Sequence, residues 1–513
     1  MLLPYSPPQI DKQDQRLFNN LVPFDHWTRR VDARIDFIEW RKSVEPRFKD
    51  SGRPAIEPVL FVKLELLMYH DRLSDSKVFQ RAQTDLAYRR FLGLGQNDYL
   101  PDIGTLRKFR TRLGVEGHKE LFHRLLAQAR GYGLLKDRLR LKDATHVLAD
   151  IAIPAGIRLI AQARNKLLAA AEKFAAENVA GERMQIETIR TSTSTSIDTD
   201  GDESRMLARV AHLRDILAWV EDLEVPHDAQ ERPDWQALIA AVELARKVLG
   251  GHDEPNAPGK IRSTTDPDAR RGKHGDFYDG YSVDVLVDAD SEMFTAINVY
   301  AAGGSESASA LVLLAQEQSA HGNHIEQLSI DGAGYDGKVL RELESEEGPN
   351  VKVFVPAKAQ TNGGKFTSDK FVLSEDGSHM TCPAGNQSQY KQRDNKREAT
   401  AYRFPADACR SCPLMNRCIN ADQKHGRTVH VSDYEQEYEQ VRKRSGTEEY
   451  AAVKREHPKV ERRLGELINR HGARRARYRG LDRVFVQQIL CALTANVKRM
   501  IRLLDRETVF GGC

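Results

Sequence analysis

LSIDGAGYDG, residues 328–337, passes from an apolar strand pattern to a bare carboxylate within a few positions. Leu328, Ser329 and Ile330 read as the end of a buried strand, and Asp331 stops it. Gly332, Ala333 and Gly334 carry too little side chain to shield that charge. Burying a carboxylate costs several kcal/mol, very roughly, unless something pairs with it. The partner of Asp331 has to be sought elsewhere in the chain.

Working outward, SASALVLLAQEQSAHG (307–322) reads as a helix, and before it DGYSVDVLVDADSEMFTAINVYAAGGS (279–305) reads as a hairpin. Tyr281, Val283, Val285 and Val287 alternate, DADSE turns, and Phe294, Ala296, Asn298 and Tyr300 resume the alternation. Further upstream, RLRLKDATHVLADIAIPA (138–155) is β-branched and alternating, with Asp143 inside it, and VKVFVPAK (351–358) adds one more strand. The order is strand, helical excursion, hairpin, helix, strand, which points to an α/β mixed sheet. Such a sheet can set the strands of Asp143 and Asp331 side by side and aim both carboxylates at one cleft. Two close carboxylates repel and need a cation between them, and an oxygen-only, partly hydrated site suits Mg²⁺ or Mn²⁺. Glu461 offers a third acid. Val460, Leu464 and Leu467 form the buried stripe of its helix, while Glu461, Gly465 and Ile468 lie on the neighbouring one. Each acid taken singly has an ordinary structural role open to it, a strand-end cap for Asp331 or a surface partner of Arg462 or Arg463 for Glu461.

The flanking segments are helical. Residues 1–20 hold three prolines and no periodicity and read as a loose arm. Between 21 and 135, EPVLFVKLELLMYHDRLSDSKVFQRAQ starts at Pro58 and stays nearly apolar from Val59 to Met68, a central buried helix, and Ser74 caps the next. LPDIGTLRKFRTRLG places Asp102 at an N-cap, Leu106, Phe109 and Leu113 on one face, and Arg107, Lys108, Arg110 and Arg112 largely on the other. A short helix, a turn and a basic helix is the outline of a helix-turn-helix DNA reader, although many exposed helices are basic. Residues 156–255 are helical again, with Leu207, Val210, Leu213, Leu217 and Val220 on one stripe. The DTDGDE within this block is not a calcium loop, because Glu203 stands where the glycine belongs and Arg209 replaces the closing glutamate.

The chain of 513 residues has room for two to four domains, each with its own core. A net charge of +3 says little, but residues 454–483 hold eleven Lys/Arg against four Asp/Glu, with Arg470, Arg474, Arg475 and Arg477 among them. That excess suits a polyanion, and a solvated helix face has the same composition. No apolar run is long enough to span a bilayer, the first residues lack a signal-peptide pattern, and six cysteines in a chain this long fit a reducing cytoplasm better than a disulfide scaffold.

KDATHV, STTDPDARRGKHG with GYSVDVLVDADSEMFTAINVYAAGGSES, and LSIDGAGYDG together resemble the core of bacterial insertion-sequence transposases of the DDE class, which have an RNase H-like fold. GRPAIEPVLFVKLELLMYHDRLSDSKVFQRAQTDLAYRRFLGLG with LPDIGTLRKFRTRL is similar to the helical N-terminal domain of one large group of them. The likeness covers residues 20–150, 260–345 and about 445–500. It implies that Asp143, Asp331 and Glu461 are the catalytic, metal-holding triad. Two Mg²⁺ or Mn²⁺ ions about 4 Å apart would serve cleavage of a transposon end and joining of its 3′-hydroxyl to target DNA. It also implies double-stranded DNA as partner, a homodimer that unites two ends, and a nucleoid-associated place in a bacterial cytoplasm. The expected organisation is an arm (1–20), an all-α N-terminal domain (21–135), an RNase H-like core (136–155 and 256–358) with a helical insertion (156–255), a cysteine-containing insertion (359–433) and a C-terminal helical part (434–513).

Departures from the family concern the third acid. Related transposases carry a tyrosine, an arginine and a lysine around the glutamate. Here Ile468 fills the lysine slot and His457 stands four residues before Glu461, with Tyr450, Arg455 and Arg470 nearby and Glu456 and Glu466 as rivals. In TTDPDARRGKHG, Arg270, Arg271 and Lys273 can hold phosphate or pair with Asp266 or Asp268, and Tyr335 can stack on a base or fill the core, the core being favoured. Cys382, Cys409, Cys412 and Cys418 form C-x26-C-x2-C-x5-C in an otherwise irregular region. The central pair has zinc-knuckle spacing, and four thiolates suit a structural Zn²⁺, as do reduced buried thiols with no metal. Two rivals to a transposase stand: a nuclease of the same fold that cuts without joining, and a catalytically inactive DNA-binding regulator. A glycosidase with paired carboxylates is remote, given the basic tail and the lack of aromatic sugar platforms.

Overall fold

The computed structural model describes residues 1–178, 202–223, 231–257, 259–359, 362–420 and 422–510. Most of the polar loop 191–205, including most of DTDGDE, lies outside them. Seven helices come first: α1 (Lys12–Leu21), α2 (Trp27–Arg34), α3 (Phe37–Val44), α4 (Pro58–His70), α5 (Asp75–Thr84), α6 (Leu86–Leu92) and α7 (Ile103–Gly131). As the composition requires, α4 is buried on nearly every side, with Pro58 in its first turn. Ser74 caps α5 and Asp102 caps α7, each accepting from a backbone N–H three residues on. The first twenty residues are not a loose arm. Phe18 of α1 is buried, Asp14 accepts from Gln96, and Arg41 donates to the Leu3 carbonyl, so apolar and polar contacts both fasten the segment.

Six strands form the main sheet: β1 (Leu139–Leu148), β2 (Arg270–His274), β3 (Asp276–Asp288), β4 (Phe294–Ala301), β5 (Gln327–Ser329) and β6 (Lys352–Phe354). The order is β2-β3-β1-β5-β6, with β4 beside β3 beyond the reach of β2. Strand β3 is antiparallel to β1, β2 and β4, while β1, β5 and β6 run parallel. Alternation divides β1 between two faces. Arg140 and Lys142 turn to α11 (Glu306–His321), where Arg140 pairs with Glu317 at 2.7 Å and Lys142 with Glu306 at 3.2 Å. Leu139, Leu141 and Val147 turn the other way.

That second face meets the C-terminal helices, after α12 (Gly337–Glu344) and a small subdomain. This subdomain is not irregular: it has five short strands, β7 (Val372–Leu373), β8 (Met380–Thr381), β9 (Tyr390–Asp394), β10 (Ala399–Arg403) and β11 (Thr428–Ser432), around Phe371, Met380, Tyr402, Phe404 and Val429. Between β1 and β2, α8 (Gly156–Asn178), α9 (Asp202–Glu221) and α10 (Pro233–Asp253) pack as a bundle with its own core. Its stripe on α9 is Val210, Leu213, Ile216 and Val220; Leu207, expected there, is exposed because α9 presents that position to solvent. After α13 (Ala406–Arg410) the chain ends in α14 (Glu435–Ser445), α15 (Glu448–Glu456), α16 (Pro458–His471) and α17 (Leu481–Phe510).

The N-terminal helices do not have a core of their own. Residues of α2 to α7, one face of β1 and β3, and α16 and α17 share a single apolar cluster. Arg110 seals this junction, reaching Glu65 of α4 at 2.7 Å, Asp75 of α5 at 2.9 Å and the Tyr478 hydroxyl at 3.0 Å. Tyr478 lies in the loop between α16 and α17, so the basic tail is bolted to the N-terminal region.

Candidate active site

Asp143 lies on the β1 face that carries Leu141 and Val147, and Ser329 turns to the same side of β5. The parallel register pairs Leu141 with Ser329. Two residues further along each strand stand Asp143 and Asp331, on adjacent strands that lie about 4.8 Å apart. Asp331 ends its strand as the N-cap of a tight turn, Gly332–Gly334, and accepts from the Ala333 N–H at 3.1 Å. Asp143 accepts from the Ala144 N–H at 2.8 Å. Burial above all, and then the charges of Asp331 and Glu306, push the Asp143 carboxyl up to about 6, against the pull of that N–H and of Lys142. Asp331 therefore faces another acid.

Two basic side chains brace the end of β5. Lys454 of α15 donates to the Ile330 carbonyl at 2.8 Å, and His457, at the start of α16, lies 3.0 Å from the Ser329 hydroxyl through Nδ1. Burial lowers both groups; His457, with Lys454 beside it, falls to about 4. Neither residue stood out in the sequence as a neighbour of Asp331, because Pro458 separates them into two helices and hides their shared side.

Helix α16 runs along β1. It begins where His457 meets Ser329, and the loop that follows it reaches the far end of β1, where the Leu148 N–H donates to the Arg474 carbonyl at 2.9 Å. Val460, Leu464 and Leu467 lie in one cluster with Leu139, Leu141 and Val147. Glu461 lies on the shoulder of the buried stripe, between Lys459, which donates to the Ala289 carbonyl at 2.7 Å, and Arg462, which pairs with Glu292 at 3.4 Å. It is exposed, and its side chain has no ion pair or hydrogen bond among the described residues. Its rivals are engaged. Glu456 pairs with Lys459, and Glu466 is held down at about 2, against its own burial, by His471 and Arg463. Among the described residues no group of three His, Cys, Asp or Glu side chains is gathered closely enough to hold a metal ion. Asp143 and Asp331 share a side of the sheet, while the three acids are not drawn into one cluster.

The basic residues divide. Arg107, Lys108, Arg112, Arg271, Lys273, Arg470 and Arg475 are exposed. Arg110 is no DNA contact as it stands, since Glu65 and Asp75 occupy it. Arg270 bonds the Ala269 carbonyl at 3.1 Å, Arg474 the His146 carbonyl at 2.8 Å and Arg477 the Leu73 carbonyl at 2.8 Å. Asp266 and Asp268 accept from Tyr281 and from the Gly480 and Leu481 N–H groups, so they anchor the start of α17 rather than pair with Arg270, Arg271 or Lys273. Tyr335 stacks on Tyr438 with centroids 4.8 Å apart, filling the core beneath α12.

The four cysteines are half-buried free thiols, near enough for Cys382, Cys409 and Cys412 to add to the burial that raises the Cys418 thiol. The Leu414 N–H points at Cys412 Sγ and the Arg427 N–H at Cys409 Sγ, each at 3.4 Å.

A family model described as Transposase DDE domain matches residues 381–501, and one described as Transposase domain (DUF772) matches residues 16–112. The first stretch contains the four cysteines and Glu461, and the second contains α2 to α6 and the start of α7. No curated protein and no solved structure matches the chain.

Proposed function

We propose, on the premise that this chain is a transposase joining a DUF772 domain to a DDE domain, that it cleaves transposon ends and joins them to target DNA with Asp143, Asp331 and Glu461 as its catalytic acids. The observation that carries the reading is the parallel register of β1 and β5, which makes neighbours of two aspartates far apart in sequence. The strand order, three antiparallel strands and then two parallel ones, supports an RNase H-like core. Asp143, Asp331 and Glu461 would hold Mg²⁺ or Mn²⁺, and a cation there would offset the burial and the like charge that raise the Asp143 carboxyl. Such ions, when bound, would supply activation of a water or 3′-hydroxyl and stabilisation of the leaving oxygen for in-line attack on a phosphodiester.

The chain's own part is positioning. Lys454 and His457 hold the end of β5, and hence Asp331, against α16. The exposed Arg107, Lys108, Arg112, Arg271, Lys273, Arg470 and Arg475 supply phosphate contacts, so DNA affinity should fall steeply as salt rises. A flat salt response would remove them from the interface. Two transposon ends have to meet, which makes a homodimer the working form.

The test uses duplexes cut from the DNA flanking the coding region, with Mg²⁺. Cleaved and joined products are expected from the wild type. Asp143→Asn should abolish both while DNA affinity stays within a few-fold. Cleavage without joining would favour the nuclease, and binding alone the regulator. For the cysteines the reading is a structural Zn²⁺ that would have to draw the four thiols closer together than they stand in this structure, favoured by the two N–H groups aimed at Cys409 and Cys412, since such donors suit thiolates. Dialysed protein should retain zinc near stoichiometry; less than about a tenth of an equivalent would end that reading.

A further inference from the structure

Strand β3 is longer than the strands around it. Its ladder with β1 ends at the pair Leu148–Gly280, and its ladder with β4 ends at Tyr281–Ala301. Residues 276–279 run on past both, laddered to β2 through Lys273–Phe277 and Arg271–Asp279. Beyond the sheet the two strands therefore form a projecting ribbon that turns at Gly275, whose φ of 72° suits glycine.

The two faces of this ribbon differ. On one, Tyr278 stacks on His146 with centroids 4.5 Å apart, and Gly272 lies beneath Tyr278, where a Cβ would come within 2.7 Å of the ring. This face is closed against the sheet. The other carries Arg271, Lys273 and Phe277, the Arg271 guanidinium 4.8 Å and the Lys273 ammonium 5.6 Å from the ring centre. Phe277 is 64% exposed. Asp279 on this face is already paired with Arg262 at 2.8 Å, which leaves the two cations beside Phe277 unneutralised by it. Asp276 at the tip turns, by strand alternation, to the opposite side.

Alternation along β3 also puts Phe277 on the same side as Val285, the cross-strand partner of Asp143. Eight residues separate Phe277 from Val285, about 26 Å of strand, or the length of about eight base pairs. A duplex laid with one phosphate at the carboxylates reaches the ribbon about three-quarters of a turn away.

We propose that this ribbon is a DNA-binding element whose Phe277 stacks against bases while Arg271 and Lys273 hold the flanking phosphates. The proposal rests on the transposase reading above and adds to it a second contact remote from the acids. A two-stranded ribbon fits a DNA groove, and apolar side chains that enter the stack do so beside basic residues that grip the backbone. Charge decides the occupant: an aromatic ring between two cations, with the acid on its face neutralised, matches a polyanion that also offers flat apolar surfaces.

The experiment measures binding of the full chain to a fluorescein-labelled duplex from the flanking DNA, without divalent cation so that no strand is cut, over a range of salt. Phe277→Ala should weaken binding about 5- to 150-fold, the loss expected for one aromatic–base stack, with the salt dependence unchanged. Phe277→Trp should return affinity to within about threefold of the wild type, because the indole stacks as well. The pair Arg271→Gln with Lys273→Gln should reduce the slope of log affinity against log salt by about 1.8, two phosphates' worth. Wild-type binding with Phe277→Ala within about twofold of it would overturn the ribbon's role and leave the transposase reading intact. A wild type that binds no duplex at any salt would overturn both.

Discussion

Burial beside Asp331 and Glu306 pushes the Asp143 carboxyl up to about 6, so its ionised form works against the sheet that carries it. Below about pH 4 the group is protonated in the folded and unfolded chain alike and is neutral to stability. Between about pH 4 and about pH 6 the unfolded chain releases its proton first, and the fold loses stability as pH rises; above that the loss is complete. Asp143→Asn should therefore melt higher than the wild type at neutral pH, the gain shrinking to nothing as pH falls from about 6 to about 4. Thermal unfolding across that range checks it, and equal melting temperatures throughout would show Asp143 to be well solvated. Glu461 is the opposite case. With no side-chain partner among the described residues, Glu461→Gln should leave the melting temperature unchanged while strand cleavage is lost. That Asp143 and Asp331 sit on neighbouring strands was legible in the sequence, because a charged residue ending or interrupting an apolar alternation is costly unless something faces it. Arg110 was not: its spacing put it with exposed cations, and only tertiary structure supplies the Glu65 that draws it inward.

At the scale of elements, the succession of β1, the β3–β4 hairpin, a helix and β5 was readable from alternation and from the turn in DADSE, whereas β2, with no apolar alternation, was not. The cysteine subdomain was not, because strands as short as Val372–Leu373 and Met380–Thr381 contain no period to read. The first helix was hidden by the prolines that precede it. The root of the β2–β3 ribbon depends on Gly280, where an added Cβ would lie 1.9 Å from the Val147 carbonyl oxygen of β1. That neighbour is backbone and can yield only by opening the ladder. Gly280→Ala should thus destabilise the protein by about 3 kcal/mol or more, visible as a lower melting temperature and less soluble protein. A variant as stable as the wild type would show that β1 and β3 are further apart than the register requires.

Over the whole molecule, the expected separate domains give way to one core shared by the N-terminal helices, the sheet and the C-terminal helices, with the α8–α10 bundle packed on its own apolar centre. Periodicity shows which face of a helix is buried and not what it is buried against, so this fusion lay beyond a sequence reading. Native-state hydrogen exchange should reveal α4, α7, β1, β3 and α17 protected as a single unit, with α8–α10 opening separately; N-terminal helices that open before the sheet would contradict a common core. No helix among the described residues is long and apolar enough to cross a membrane. The fold sets the strands of Asp143 and Asp331 side by side, and the proposed site requires Glu461 of α16 to join them there. Titration of the DNA-bound protein with Mn²⁺, followed by electron paramagnetic resonance, tests that convergence most directly. Asp143→Asn, Asp331→Asn and Glu461→Gln should each remove the same bound Mn²⁺ signal that the wild type shows. Full Mn²⁺ binding in any one of the three variants would take that residue out of the site.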